Sequence, residues 1–154
     1  IIPLIQESIE EVRRIQMDLR PSILDDLGIL ATIAWFCREF QKVYSTIHIQ
    51  KQIDIEEREV SDQLKTVVFR VMQEALNNIA KHSKADLVHL SLKKKDERIE
   101  LVVEDNGTGF DLENSKKGFG LGSMRERTGL SGGSFTINST QGVGTVIRAT
   151  WPIS

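Results

Sequence analysis

The sequence has very little cysteine: Cys37 is the only one among 154 residues. A single cysteine cannot close an internal disulfide, and no group of cysteines and histidines has the spacing of a zinc site. These absences predict a reducing compartment and no structural metal. Cys37 lies between the aromatic residues Phe36 and Phe40, which favours a place in the core.

Long apolar runs and an excess of one charge are also missing. The longest apolar stretch, from Leu27 to Phe36, is too short for a membrane span, which needs about 20 residues. No basic segment followed by an apolar core marks a signal peptide. The net charge of −2 gives no electrostatic case for direct contact with nucleic acid. We expect a cytoplasmic domain.

The chain starts at Ile1 rather than Met, which predicts a piece of a longer protein. The sequence leaves open whether that parent protein is anchored in a membrane. What is present, 40% hydrophobic and 27% charged residues, is the composition of one ordinary globular domain.

Apolar spacing and turn residues predict helices first and then alternating helices and hairpins. The predicted helices cover residues 1–20, 23–43, 62–83 and 121 to about 132, and the predicted strands cover residues 48–53, 86–94, 98–104, 134–139 and 145–151. This order predicts an α+β fold, a two-layer sandwich in which a mixed, mostly antiparallel sheet carries helices on one face. In the second helix, the residues predicted to face the core are Leu24, Leu27, Leu30, Ile33, Ala34 and Cys37.

The helix over 62–83 has the clearest pattern. Its apolar residues alternate at spacings of three and one, which is typical of one buried face; they are Leu64, Val67, Val68, Val71, Met72, Ala75, Leu76, Ile79 and Ala80. On the polar side, Glu74, Asn78 and His82 recur every four residues, so we expect them along one edge. Taken alone, this edge fits either a solvated surface behind a cap at Ser61 or a site for a metal ion and phosphates.

The first of three glycine clusters is VEDNGTGF (103–110), which follows a predicted strand. Asp105 then lies at the end of that strand, where its carboxylate can accept a hydrogen bond from an exocyclic amine such as that of adenine. Gly107 and Gly109 allow the backbone to turn sharply beside a ligand. The simpler interpretation is a plain turn, since Asp-Asn-Gly is a common turn sequence.

The other two clusters are GFGLG (118–122) and GVGT (142–145). The former opens a helix, where free backbone amides can cradle an anion, unless it is only a flexible hinge. It is neither the dinucleotide-binding fingerprint nor a P-loop. The latter is a hairpin turn, or it places the Thr145 hydroxyl at the end of the same pocket.

The order of these motifs resembles the Bergerat (GHKL) ATP-binding fold of histidine kinases, type II topoisomerases, Hsp90-type chaperones and mismatch-repair ATPases. NNIAKHS (77–83) is similar to the N box of the histidine kinases, EDNGTGF (104–110) to their G1 box and GFGLGSMRER (118–127) to their G2 box. With the short segment between the G1 and G2 boxes and LRPSILDDLG (19–28), the resemblance is to nitrate-sensor-type histidine kinases.

The resemblance implies ATP and Mg²⁺ as cofactors and a role for each matched residue. At the phosphate end, Glu74 would be catalytic and orient the nucleophile, Asn78 would coordinate Mg²⁺, and Lys81 and His82 would contact phosphate oxygens. The residues that would hold the phosphates at the helix start are Gly118, Gly120, Leu121 and Gly122.

At the base end, the resemblance implies that Asp105 binds the adenine amino group and that Thr145 supports it. Gly107 and Gly109 would shape the adenine pocket and the root of a lid. We expect the lid, residues 111–117, to be mobile without nucleotide.

The resemblance also implies partners. In this subfamily the phosphoacceptor histidine is followed by an acidic residue. None of the three histidines of this chain, His48, His82 and His89, is followed by an acidic residue. We therefore expect residues 1–20 to be the second helix of the acceptor hairpin and 21–154 to be the ATP-binding catalytic domain. The acceptor helix would lie elsewhere in a parent kinase that is a homodimer and that serves a response regulator with a helix-turn-helix output domain.

Two other functions stay open on the same fold. One is an anti-sigma-type serine kinase, whose product would be acid-stable phosphoserine. The other is a non-catalytic module in which nucleotide binding orders the lid and changes a protein contact.

Overall fold

The structure is a computed structural model that describes residues 22–109 and 120–153. Its main elements are α1 (Ile23–Val43), β1 (His48–Asp54), α2 (Asp62–Asn78), β2 (Leu87–Lys95), β3 (Arg98–Asp105), α3 (Leu121–Leu130), β4 (Ser134–Thr140) and β5 (Gly144–Pro152). Every predicted strand is confirmed to within one residue at each end. Three predictions fall outside the described residues: the helix over 1–20, the mobile lid over 111–117, and Gly118.

One five-stranded sheet, in the order β1-β2-β3-β5-β4, forms one layer of the domain. β1 runs parallel to β2 because α2 lies between them in the chain, whereas all other neighbouring strands are antiparallel. Alternate residues of the strands face the helices and are buried, as Val88, Leu90 and Leu92 are in β2. The predicted α+β sandwich with a mixed sheet is therefore confirmed.

The helix α1 is interrupted at Gly28, where φ is 89° and ψ is 179°. The helix restarts at Ile29, and the Glu57 carboxylate accepts the backbone N–H groups of Ile29 at 3.0 Å and Leu30 at 3.1 Å. A side chain distant in sequence thus caps the restarted helix. The prediction that Leu27 faces the core was wrong: it is 64% exposed. Leu27 belongs to the short segment before the break, in which Leu24 is the buried residue. The buried residues after the break are Ile29, Thr32, Ile33, Phe36, Cys37 and Phe40.

The helix α2 is covered on more than one side. Its N-cap is Ser61, whose hydroxyl oxygen accepts the N–H of Leu64 at 3.3 Å. Most of the predicted apolar face is buried, and so is Phe69, which lies outside that face. The Phe69 ring meets Phe36 of α1 edge-on, with centroids 5.7 Å apart. Because α1 packs on α2, the buried surface of α2 is wider than its stripe of aliphatic residues predicts.

The prediction of one regular α-helix over 62–83 was wrong in its last turn, because Ile79–Ser83 is π-helical. The Ser83 hydroxyl donates to the carbonyl oxygen of Ile79 at 2.9 Å and accepts the N–H of Ala85 at 3.1 Å. Lys84, which follows, has the left-handed conformation that ends the helix. These local bonds hold the wide turn against the sheet.

In the described part of the chain, no helix is both long enough and apolar enough to cross a membrane.

Candidate functional site

A pocket opens between the C-terminal half of α2, the π-helical turn and the ends of strands β3, β4 and β5. It measures about 460 Å³, including its opening to solvent, and most of its wall is apolar. We call it the buried pocket; its lining residues are Ala75, Asn78, Ile79, His82, Ser83, Val103, Asp105, Gly109, Leu121, Ile137, Thr145 and Ile147.

Among the described residues, Asp105 is the only acidic one that lines the buried pocket, and it is 7% exposed. As the sequence predicted, it lies at the end of β3. Its Oδ1 atom accepts the backbone N–H of Gly107 at 2.8 Å. Burial raises the pKa of the Asp105 carboxyl, and hydrogen bonds from the backbone N–H groups of Gly107 and Thr145 only partly oppose this. The pocket therefore holds a carboxyl group in a largely apolar surrounding.

Thr145 lies beside Asp105 because the two residues are register partners on β5 and β3. Thr145 is 5% exposed, and its Oγ1 atom is 2.8 Å from the Oγ atom of Ser139. The preceding Gly144 has φ 141°, and a Cβ atom there would overlap the carbonyl oxygen of Asp105. Only glycine permits this close approach of the two strands, which sets the Asp105–Thr145 pair.

The loop after β3 is fastened to the start of β2. The Asn106 side chain accepts the N–H groups of Asp86 at 3.2 Å and Leu87 at 3.1 Å, and it donates to the Asp86 carboxylate at 2.7 Å. A Cβ atom at Gly107 would overlap the carbonyl oxygen of Ser83. The sequence does not indicate this structural role of Asn106, because Asp-Asn-Gly also fits a plain turn.

The same loop is joined to the π-helical turn and to the β4–β5 turn. The Thr108 N–H donates to the carbonyl oxygen of Ser83 at 2.6 Å, and the Thr108 carbonyl oxygen accepts the N–H of Gly142 at 2.6 Å. Gly109 has φ 65°, and a Cβ atom there would overlap the carbonyl oxygen of Thr140. Three of the predicted motifs therefore meet through backbone hydrogen bonds around the buried pocket.

A second cavity, which we call the polar cavity, separates α2 from the first two turns of α3. Its lining residues are Arg70, Gln73, Glu74, Asn77, Lys81, Ser123, Met124 and Arg127. Glu74 lies directly against Gly120, the N-cap of α3. The contact is so close that a Cβ atom at Gly120, which has φ 63°, would overlap the Glu74 carboxylate. A Cβ atom at Gly122 would meet nothing within 4 Å, so the backbone of the first turn of α3 is open on that side.

Two of the three polar residues that the sequence put on one edge of α2, Asn78 and His82, line the buried pocket with Asp105. The third, Glu74, lines the polar cavity, together with Lys81. Residues four apart on an α-helix are displaced by about 40° around its axis, so the edge turns from the polar cavity at Glu74 toward the buried pocket at Asn78. The predicted edge therefore borders both cavities.

The chain matches the family model described as histidine kinase-, DNA gyrase B- and HSP90-like ATPase over residues 63–154. It is 37% identical over 148 residues to the oxygen sensor histidine kinase NreB of Staphylococcus carnosus, covering 95% of this chain and 42% of the relative. It is 41% identical over 133 residues to the histidine-protein kinase/phosphatase UhpB of Salmonella typhimurium, covering 86% of this chain and 27% of the relative. The chain thus spans less than half of these relatives.

Among solved structures, the histidine kinase domain of the blue-light activated kinase EL346 from Erythrobacter litoralis has a TM-score of 0.69. It is 18% identical and covers 80% of this chain and 60% of that structure, which shows a shared fold. The histidine kinase resemblance of the sequence is confirmed by these comparisons. The chain belongs to the histidine kinase-, DNA gyrase B- and HSP90-like ATPase family and is the ATPase-type domain found in sensor histidine kinases.

Proposed function

We propose that the chain binds ATP in the buried pocket and, within a sensor kinase, transfers the γ-phosphoryl group to a histidine of the parent protein. The observation that carries this proposal is the Asp105 carboxylate among apolar walls. An ionised carboxylate only accepts hydrogen bonds, so it selects a base with an exocyclic amine at the contact point. Adenine fits, whereas guanine would present a carbonyl oxygen there and bring two acceptors together.

The start of α3 supports phosphate binding next to that base. The first N–H groups of a helix have no partner within the helix, and the glycines at 120 and 122 remove side chains that would cover them. Leu121 lines the buried pocket and ties this helix start to the base end. In this proposal Lys81 and His82, in the π-helical turn after α2, contact phosphate oxygens.

Asn78 is the residue we assign to Mg²⁺. The described residues contain no group of three or more His, Cys, Asp or Glu side chains that could hold a metal by themselves. A single amide oxygen nevertheless fits Mg²⁺, which takes most of its ligands from phosphates and water in nucleotide sites. When bound with ATP, the ion would neutralise charge on the phosphates. Asn78 would hold it through its side-chain amide oxygen.

Transfer requires an imidazole nitrogen of the acceptor in line with the γ-phosphorus. The P–N bond forms while the bond from phosphorus to the oxygen of ADP breaks. Glu74 is assigned the role of orienting the attacking imidazole, because its carboxylate lies against the start of α3, where the phosphates would end. We propose that the acceptor helix belongs to the parent homodimer in the cytoplasm, that residues 1–20 continue that hairpin, and that a response regulator receives the phosphoryl group.

Calorimetric titration of a non-hydrolysable ATP analogue, with and without Mg²⁺, tests the pocket. We expect Asp105→Asn to weaken binding by about tenfold or more, since a hydrogen bond to a charged group contributes about 1.5–3 kcal/mol. Glu104→Gln is the matched control, because this neighbouring carboxylate is exposed on the other face of the sheet. Equal affinity of wild type and Asp105→Asn would contradict the proposal.

A further inference from the structure

Two helix faces bring three cations to the polar cavity. Arg70 comes from α2, Lys81 from the π-helical turn that follows it, and Arg127 from α3. Of the described lining residues only Glu74 is acidic, so these residues carry an excess of positive charge in a chain whose net charge is −2. This excess lies next to the N-terminus of α3, where the helix dipole adds positive potential.

Several cations elsewhere in the domain have protein partners. Arg148 pairs with Glu100 at 2.9 Å, and Lys65 pairs with Glu57 at 2.9 Å. On α3 itself, the Arg125 guanidinium lies 5.2 Å from the centre of the Phe135 ring. These side chains satisfy their charge or stack within the fold.

Two cations of the polar cavity differ from these. Within residues 22–109 and 120–153, neither Lys81 nor Arg127 forms an ion pair. Arg70, in contrast, is held within the fold and donates a hydrogen bond to the Gln73 side chain at 2.8 Å. The Lys81 ammonium and the Arg127 guanidinium can therefore donate hydrogen bonds to an anionic group in the cavity.

Arg127 is placed to reach the helix start. It is one turn after Ser123, which lines the same cavity, so both lie on one face of α3. Its Cα lies about 9 Å along the axis from that of Leu121, and helical side chains lean toward the N-terminus. The extended guanidinium therefore approaches the place where the phosphates would end.

We propose that Arg127 binds the terminal phosphate of the nucleotide and makes the site selective for ATP over shorter adenine nucleotides. The inference rests on the proposed function and assigns a role to a residue of the GFGLGSMRER segment for which the family resemblance implied none. A guanidinium suits this task because its fork of donors matches phosphate oxygens in two-point contact. Each added phosphate brings negative charge, so the contact contributes most for a triphosphate.

The test compares the affinities of a non-hydrolysable ATP analogue, ADP and AMP for the full 154-residue chain and for Arg127→Gln. We expect Arg127→Gln to weaken the triphosphate by about tenfold and AMP by less than about twofold, because only the triphosphate reaches the cavity. Arg125→Gln is the matched control: it removes the same charge two residues away, on a side chain that stacks on Phe135. Arg127→Lys should restore part of the triphosphate affinity.

Equal loss of AMP and triphosphate binding by Arg127→Gln, with an unchanged unfolding midpoint, would overturn the inference. So would unchanged triphosphate affinity, which would instead favour an acidic protein segment as the occupant of the polar cavity. A wild-type chain that binds AMP and the triphosphate equally overturns the inference alone. A folded wild-type chain that binds none of the three overturns the proposed function as well.

Discussion

The buried pocket and the polar cavity share the helix α2 but follow opposite physical rules. The buried pocket has apolar walls around the single carboxylate of Asp105. The polar cavity is open to water and is lined by three cations and the Glu74 carboxylate. One hydrogen bond discriminates well only where water is excluded, whereas several cations close together would be too costly to bury. In the proposed function the buried pocket would bind the base and the polar cavity the phosphates, so the site needs both surroundings side by side.

The glycines show the same difference in packing. Gly107 and Gly144 lie next to Asp105 at points where a Cβ atom would overlap backbone oxygens. At Gly122, in the first turn of α3, a Cβ atom would meet no described atom within 4 Å. The surroundings of Asp105 are thus closely packed, whereas the start of α3 leaves room on one side.

The largest expected effect comes from a side chain placed against Asp105, which lines the buried pocket. Gly107→Val would press a side chain against the Ser83 carbonyl oxygen and the Asp105 carboxylate. We expect loss of ATP and AMP binding by more than about a hundredfold, together with about 1–3 kcal/mol of lost stability from overpacking. Titration calorimetry and urea unfolding measure the two effects. Gly122→Ala is the control and should keep wild-type stability; normal AMP binding by Gly107→Val would break the comparison.

The next effect is on chemistry in the polar cavity. Glu74→Gln keeps the size of the side chain but removes its charge, so nucleotide affinity should change less than about threefold. Phosphotransfer to a separately supplied acceptor hairpin should fall by about a hundredfold, which is the usual size of such contributions. Acid-labile phosphohistidine formation measures this rate, and Glu126→Gln, an exposed change on α3, is the control. Unchanged transfer by Glu74→Gln would remove Glu74 from the catalytic role.

The smallest expected effect is a gain in stability rather than a loss. Because burial raises the pKa of Asp105 above its ordinary value of 3.8, the folded chain binds this proton more tightly than the unfolded chain does. The ionised carboxylate therefore lowers stability at neutral pH, and this cost disappears as the pH falls through the raised pKa toward 3.8. We expect Asp105→Asn to unfold at a slightly higher urea concentration than wild type at pH 7, with the gap closing near pH 4. Lower stability of Asp105→Asn at pH 7, or a gap that is constant with pH, would contradict this assignment.

Much of the fold was predictable because its signals are local. The 3-and-1 spacing of α2 and the alternation of the strands each report which side of an element meets the core. Glycine clusters marked the ends of β3 and the start of α3. The prediction failed for Leu27, which lies in a short segment that Gly28 separates from the rest of α1. It also failed for the turn Ile79–Ser83, which is π-helical and carries local hydrogen bonds of Ser83.

The sequence by itself determined the order of elements, the Asp105 carboxylate at a strand end and the family of ATP-binding proteins. Only the tertiary structure decided that Asn78 and His82 line the buried pocket with Asp105, while Glu74 and Lys81 line the polar cavity with Arg127. Spacing along a chain defines one face of one element, because it follows from backbone geometry. Which groups meet across elements depends on how α2, α3 and the sheet pack, and this packing arises from contacts between residues that are far apart in sequence.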